Sequence, residues 1–192
     1  MGFSYFFFYI IIKNLVACIC IGIGIGGGIL VGNELGAGQL TKAKAYGNRV
    51  TKMAIISGAI SGAFIVLISP LIVMSVKMTP EATKYLKWML VMCSYYMIGK
   101  SINSTTIGGI FCAGGDSKFG FICDTITLWV VTVPLGLIAA FVWNLPILAV
   151  YFIVNLDEII KLPAVYIHYK KYRWVKDLTT QKSGEEKNAM VI

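Results

Sequence analysis

Charge is scarce in this sequence. Asp, Glu, Lys and Arg make up 14% of its 192 residues, against about a quarter in soluble domains. There is one histidine, and no HExxH, phosphate loop or Ser/His/Asp arrangement, so no enzyme signature is present. The five cysteines, Cys18, Cys20, Cys93, Cys112 and Cys123, include no CxxC pair, and their odd number argues against a disulfide framework. Small buried thiols are the expectation, with no metal site. Period-two alternation is absent, which excludes barrel strands. No basic segment precedes the first apolar run, which is also too long for a cleaved signal peptide.

What is there is apolar. Hydrophobic residues make up 57% of the chain, and mean hydropathy is +0.77. A soluble globule of this size cannot hide so much apolar surface. Cytosolic enzymes, disordered regulators and secreted disulfide scaffolds are therefore excluded. The composition predicts a polytopic, all-α membrane protein.

Five apolar runs each approach the roughly 20 residues that span a bilayer. They cover residues 3–32, 53–76, 85–112, 119–143 and 145–169, with a polar tail at 177–192. Pro70, Pro134 and Pro163 each interrupt a run, freeing a carbonyl and permitting a bend. Net charge is +8, which follows from the cytoplasmic excess of Lys and Arg rather than from nucleic-acid binding. Eleven basic residues fall on one side (Lys42, Lys44, Arg49, Lys52, Lys118, Lys170, Lys171, Arg173, Lys176, Lys182 and Lys187) and three on the other (Lys77, Lys84 and Lys87). The larger set predicts a cytoplasmic C-terminus in the plasma membrane, with the N-terminal end outside. That start suggests that preceding helices are missing. The aromatic and basic stretch at 169–174 reads as an interfacial anchor on membrane lipid.

Gly22, Gly24 and Gly27 satisfy GxGxxG, yet they lie inside a membrane-length run, where a dinucleotide turn has no strand to follow. Gly22/Gly26, Gly24/Gly28 and Gly58/Gly62 also have GxxxG spacing, which predicts close helix packing. Asn103-Ser104-Thr105 matches a glycosylation sequon inside the third run, out of reach. His168 reads as an interfacial residue at the end of the last helix.

Charges at bilayer depth are costly and normally face a cavity or a partner. Lys100 shares a polar stripe with Tyr96, Asn103 and Ser104. Asp124 is the only charge in the fourth run, near enough to the helix end to reach water or Lys118. Asp157 precedes Lys161 by four residues, the favourable ion-pair orientation, which leaves Glu158 without an obvious local partner.

Three segments in order carry a family resemblance. They are NLVACICIGIGIGGGILVGNELGAG at 14–38, GGIFCAGGDSKFGFICDTITLWVVTVPLG at 108–136 and LDEIIKLP at 156–163. Together they resemble the eighth, tenth-to-eleventh and twelfth helices of the multidrug and toxic compound extrusion (MATE) family. The family motif covers Gly32, Asn33, Glu34, Leu35, Gly36, Ala37 and Gly38. The resemblance implies a bundle of five transmembrane helices equivalent to helices 8–12 of a twelve-helix transporter. It further implies export of small cationic or amphipathic compounds in exchange for Na⁺ or H⁺, no other cofactor, and an N-terminal lobe as partner. The cation-coupling candidates are Asp124 first and Glu158 second. Tyr95, Lys100, Asn103 and Trp129 are the cavity-lining candidates. A half-bundle alone would leave Lys100 and Asp124 facing lipid, so isolated transport is not expected. The alternatives are a lipid-linked oligosaccharide flippase of the related superfamily, or a non-transporting fragment.

Overall fold

The computed structural model describes residues 3–75 and 79–176. The polar tail, Lys77, Lys182 and Lys187 lie outside the described residues. The chain runs as α1 (Phe3–Gly36), α2 (Leu40–Ser75) and α3 (Pro80–Asn103), the last continuing as a π-helical stretch over Ser104–Phe111. Next come α4 (Ser117–Ile126), a π-helical stretch over Thr127–Thr132, α5 (Val133–Leu137) and a further π-helical stretch over Ile138–Val142, which together form one uninterrupted run. The chain ends in α6 (Ile147–Val154) and α7 (Asp157–Lys170).

The five helical runs expected from the sequence are all present, and their limits differ for physical reasons. α2 begins at Leu40, well before its apolar run at 53, because KAKAYGNR is also helical. Hydropathy registers only the segment that lipid covers, while the helix continues into the interface. The fifth run is broken: the helix stops at Asn155–Leu156 and restarts at Asp157. Three helical runs, Tyr9–Gly36, Leu40–Met74 and Ser117–Val142, are long and apolar enough to cross a membrane by themselves. α3 carries Glu81, Lys84, Lys87 and Lys100, and the α6–α7 run carries Asp157, Glu158 and Lys161. α3 lies centrally, packed against α1, α2, α6 and α7.

Local signals explain the ends. α3 starts at Thr79, whose side-chain oxygen accepts from the Ala82 N–H at 3.4 Å, with Pro80 at the first helical position and Glu81 in the first turn. α1 ends in a six-residue closure, in which Gln39 N–H donates to Glu34 O at 2.9 Å and Gly38 N–H to Leu35 O at 3.2 Å. Gly38 has φ +70°, the left-handed conformation this closure demands. The pattern repeats after Phe111. Asp116 N–H donates to Phe111 O at 2.8 Å, Gly115 N–H donates to Cys112 O at 3.2 Å, and Gly115 also has φ +70°. GNELGAG is thus a helix-stop signal.

Two apolar clusters fill the bundle. One gathers Tyr9, Val16, Ile65, Leu86, Leu90 and Met97 near one end. The other gathers Val31, Leu35, Ile110, Phe111, Val165 and Trp174 at the end that holds both left-handed closures. Glycine permits the close approaches between helices. A Cβ on Gly28 would lie 2.8 Å from Gly109 Cα, and one on Gly24 3.1 Å from Thr105 Cα. A Cβ on Gly58 would lie 2.9 Å from Ile98 Cα. The other GxxxG pair differs from expectation: Gly22 and Gly26 meet no atom within 4 Å, because they point away from the π-helical stretch.

Two expected outcomes follow from this packing. Gly28→Leu should markedly lower the melting temperature in detergent, since backbone on both sides must separate, whereas Gly26→Leu should leave it within error. Gly38→Ala should destabilise by about 1 kcal/mol, the cost of placing a Cβ in the left-handed region. Gly36→Ala, at a helical position with open space, should be neutral or stabilising by up to about 1 kcal/mol. Reversible unfolding in micelles measures both pairs.

Candidate functional site

The break between α6 and α7 brings the charged residues together. Asp157 and Glu158 occupy the first turn of α7, where the positive end of a helix favours carboxylates. Asn155 stabilises the end of α6 by donating from Nδ2 to Tyr151 O at 2.7 Å. Glu158 is 2% exposed, and α3 accommodates it at Gly99, where a Cβ would lie 3.1 Å from Glu158 Cβ.

Glu158 is the centre of the network. Its Oε1 accepts from Lys100 Nζ at 3.3 Å, and its Oε2 pairs with Lys161 Nζ at 3.3 Å. Asn103 Nδ2 donates to Glu158 Oε2 and to the Glu158 carbonyl, each at 2.8 Å. Lys161 bridges three carboxylates, reaching Asp124 Oδ1 at 3.0 Å and Asp157 Oδ2 at 3.6 Å besides Glu158. Lys13 donates to Asn155 Oδ1 at 3.2 Å, with its ammonium 3.9 Å from the centroid of the Tyr96 ring. Two lysines, Lys100 and Lys161, thus pair with three acids, Asp124, Asp157 and Glu158, and with Lys13 nearby the six side chains sum to a formal charge of zero. Hydroxyls tie the neighbouring helices together: Ser57 Oγ lies 3.0 Å from Ser101 Oγ, which donates to Ala54 O at 2.7 Å.

The structure distributes the sequence candidates unevenly. Glu158, which had no partner in sequence, has three. Lys100 and Asn103 both bind it. Asp124 sits at the bundle surface, its side chain 51% exposed, paired with Lys161 and not with Lys118. Lys100 and Asp124 are therefore each paired within the chain. Tyr95 packs its ring on Phe152 at 5.7 Å, and its buried hydroxyl has no hydrogen-bond partner among the described residues. Asn103 Oδ1 is also buried without a partner. Trp129 stands 66% exposed. Gly32 to Gly38 form the end of α1 already described. The part played by Lys13 was not legible in the sequence, since Tyr96 and Asn155, its nearest partners, are 83 and 142 residues away.

His168, in the last turn of α7, packs into the bundle. It is 9% exposed, with Nε2 2.6 Å from Asp116 Oδ2, its ring stacked on Phe119 at 3.6 Å and edge-on to Phe111 at 5.1 Å. Nearby, Tyr169 Oη donates to Asn48 Oδ1 at 2.7 Å, and Lys176 Nζ donates to Gly115 O at 3.3 Å. These contacts join α2 and the turn before α4 to the last turn of α7 and the residues that follow it. Among the described residues, no group of three or more His, Cys, Asp or Glu side chains could hold a metal ion.

Compared with known proteins, the sequence matches the family model described as MatE over residues 7–138, more than half of the chain. It matches no curated protein.

The geometry predicts unequal effects of neutralising the two acids. Glu158→Gln leaves Lys100 and Lys161 buried beside an uncharged group and should cost about 3 kcal/mol, as for a broken buried pair. Asp124→Asn removes one half-exposed contact and should cost no more than about 1 kcal/mol. Unfolding of the purified variants in detergent checks both, and equal losses would contradict the assignment of Glu158 as the centre.

Proposed function

The chain belongs to the MatE family, and from that membership we propose that it supplies part of a cation-coupled efflux pathway, with Glu158 as the coupling carboxylate. MatE members are membrane transporters, not enzymes. The single observation that carries the proposal is the discontinuous α6–α7 helix, which places a 2%-exposed carboxylate under two lysines and an asparagine. Broken helices with polar groups at the break form binding sites in transporters because their backbone and charges need not face lipid.

The chemistry of exchange follows from the charge balance. With Glu158 ionised, the network is neutral, and a cationic or amphipathic substrate meets no net repulsion. When a proton or Na⁺ is taken up at the Glu158 carboxylate, Lys100 and Lys161 lose part of their counter-charge, and the network gains one positive charge. A substrate cation is then disfavoured in the same space. Mutual exclusion of two cations at one carboxylate is the thermodynamic requirement of antiport. Asn103 Oδ1, buried and unpartnered beside Glu158, offers a further oxygen to an incoming cation. Burial favours Glu158 over Asp124, since a half-exposed acid at the bundle surface exchanges protons with its surroundings regardless of substrate.

In this reading the end carrying the two left-handed closures, Lys118 and Lys170–Lys176 faces the cytoplasm at the plasma membrane. An N-terminal lobe completes the cavity. Proteoliposomes holding the protein with its complementary lobe, loaded with ethidium and given an inward H⁺ or Na⁺ gradient, provide the test. Glu158→Gln should abolish gradient-driven efflux by at least about tenfold, whereas Asp124→Asn retains at least half of it. Unchanged gradient dependence in Glu158→Gln would overturn the assignment.

A further inference from the structure

Lys13 differs from the other two lysines of the network. Lys100 and Lys161 each pair with carboxylates, but among the described residues Lys13 makes no ion pair within 4 Å. Its ammonium is held by a neutral amide oxygen, Asn155 Oδ1 at 3.2 Å, and by ring faces, with the Tyr96 centroid at 3.9 Å and the Tyr9 centroid at 5.9 Å. The rings are themselves fixed. Tyr9 meets Tyr151 edge-on at 5.3 Å, their hydroxyls are hydrogen-bonded to each other, and Asn155 is anchored to the Tyr151 carbonyl. Tyr9 and Tyr96 are 2% and 8% exposed.

Such a site fits an organic ammonium. Aromatic faces attract a cation by their quadrupole, most strongly where water is excluded, and they do so without a counter-ion. Asn155, whose amide oxygen accepts from Lys13, just precedes the acidic first turn of α7 at Asp157 and Glu158. The occupant is an ammonium on a flexible four-carbon stem, and a stem of that kind can withdraw its head toward polar surroundings.

We propose that the Tyr9–Tyr96–Asn155 cage is a subsite for the ammonium group of an organic cation, and that Lys13 occupies it as an internal competitor when no substrate is present. This inference rests on the cation-export reading above and extends it to a defined subsite.

The test is direct binding of tetraethylammonium to the purified full chain in detergent, by calorimetry at constant ionic strength. Lys13→Met and Lys13→Gln remove the ammonium from the cage and should each bind at least about tenfold more tightly than the parent, the scale of one desolvated cation–π contact. Adding Tyr96→Leu to either should return affinity to the parent level or below. Lys13→Arg keeps a cation in place and should bind as the parent does. Equal affinity of the parent and both neutral variants overturns the proposal, as does tight binding that survives Tyr96→Leu. Failure of both neutral variants to fold while Lys13→Arg folds also overturns it, because Lys13 is then a required structural charge. The efflux assay separates the two readings. Tight binding without gradient-driven efflux defeats the export reading and leaves the subsite. Efflux with no gain in binding does the reverse.

Discussion

A charge in hydrocarbon costs a few kcal/mol or more, and this chain carries six charged side chains on the facing portions of four helical runs. The remaining structure is arranged around their mutual neutralisation. Lys161 gathers Asp124, Asp157 and Glu158, and Lys100 takes the second oxygen of Glu158. Neither the central α3 nor the broken α6–α7 run meets the length and apolarity of a self-sufficient span. Each becomes tolerable in a bilayer because the other supplies its counter-charges. The three apolar runs face outward, where large side chains such as Leu67, Phe141 and Leu15 stand more than 60% exposed.

Close backbone approach makes that pairing possible. Hydrophobicity does not drive helices together within lipid, so contact depends on van der Waals packing and on interhelical hydrogen bonds. Gly24 and Gly28 admit the π-helical stretch, Gly58 admits α3, and Gly99 admits Glu158 itself. Replacing Gly99 would separate Lys100 from Glu158, and replacing the others would shift α3, which carries Lys100 and Asn103, away from α1 and α2. Polar pairing and small-residue packing are therefore one device. The hydroxyl links between Ser57, Ser101 and the Ala54 carbonyl add to it on the α2 side.

The two ends of the bundle are built differently. One end is tied by hydrogen bonds and stacked rings: His168 with Asp116 and Phe119, Tyr169 with Asn48, and Trp174, whose ring fills the space above Gly47. Near the other end lies the tyrosine cage around Lys13, next to the break at Asn155. Pro163 removes a hydrogen bond within α7, so the segment between the break and the tied end has two places to bend. A charge change at Glu158 thus acts on a helix already divided, with one end anchored and the other held by weaker, exchangeable contacts.

The sequence by itself determined the class of protein, the five helical runs and the positions of the membrane-depth charges, because hydropathy and the 20-residue span are local quantities. It also carried the family pattern, with GNELGAG legible as a motif although its physical meaning, a left-handed helix stop, needed the backbone. Glu158 and Lys13 mark where local reading ends. The Asp157–Lys161 spacing was visible on one helix, but two of the three partners of Glu158 lie on α3, 55 and 58 residues away, and besides the nearby Tyr9 the partners of Lys13 lie outside α1. Asp124 looked within reach of Lys118 and pairs instead with Lys161 on α7, and Gly22 and Gly26 looked equivalent to Gly24 and Gly28. Which face of a uniformly apolar helix turns inward is not written in its hydropathy. Only the packing of all five runs decides it, because in lipid every face is equally greasy and the charges on neighbouring helices choose among them.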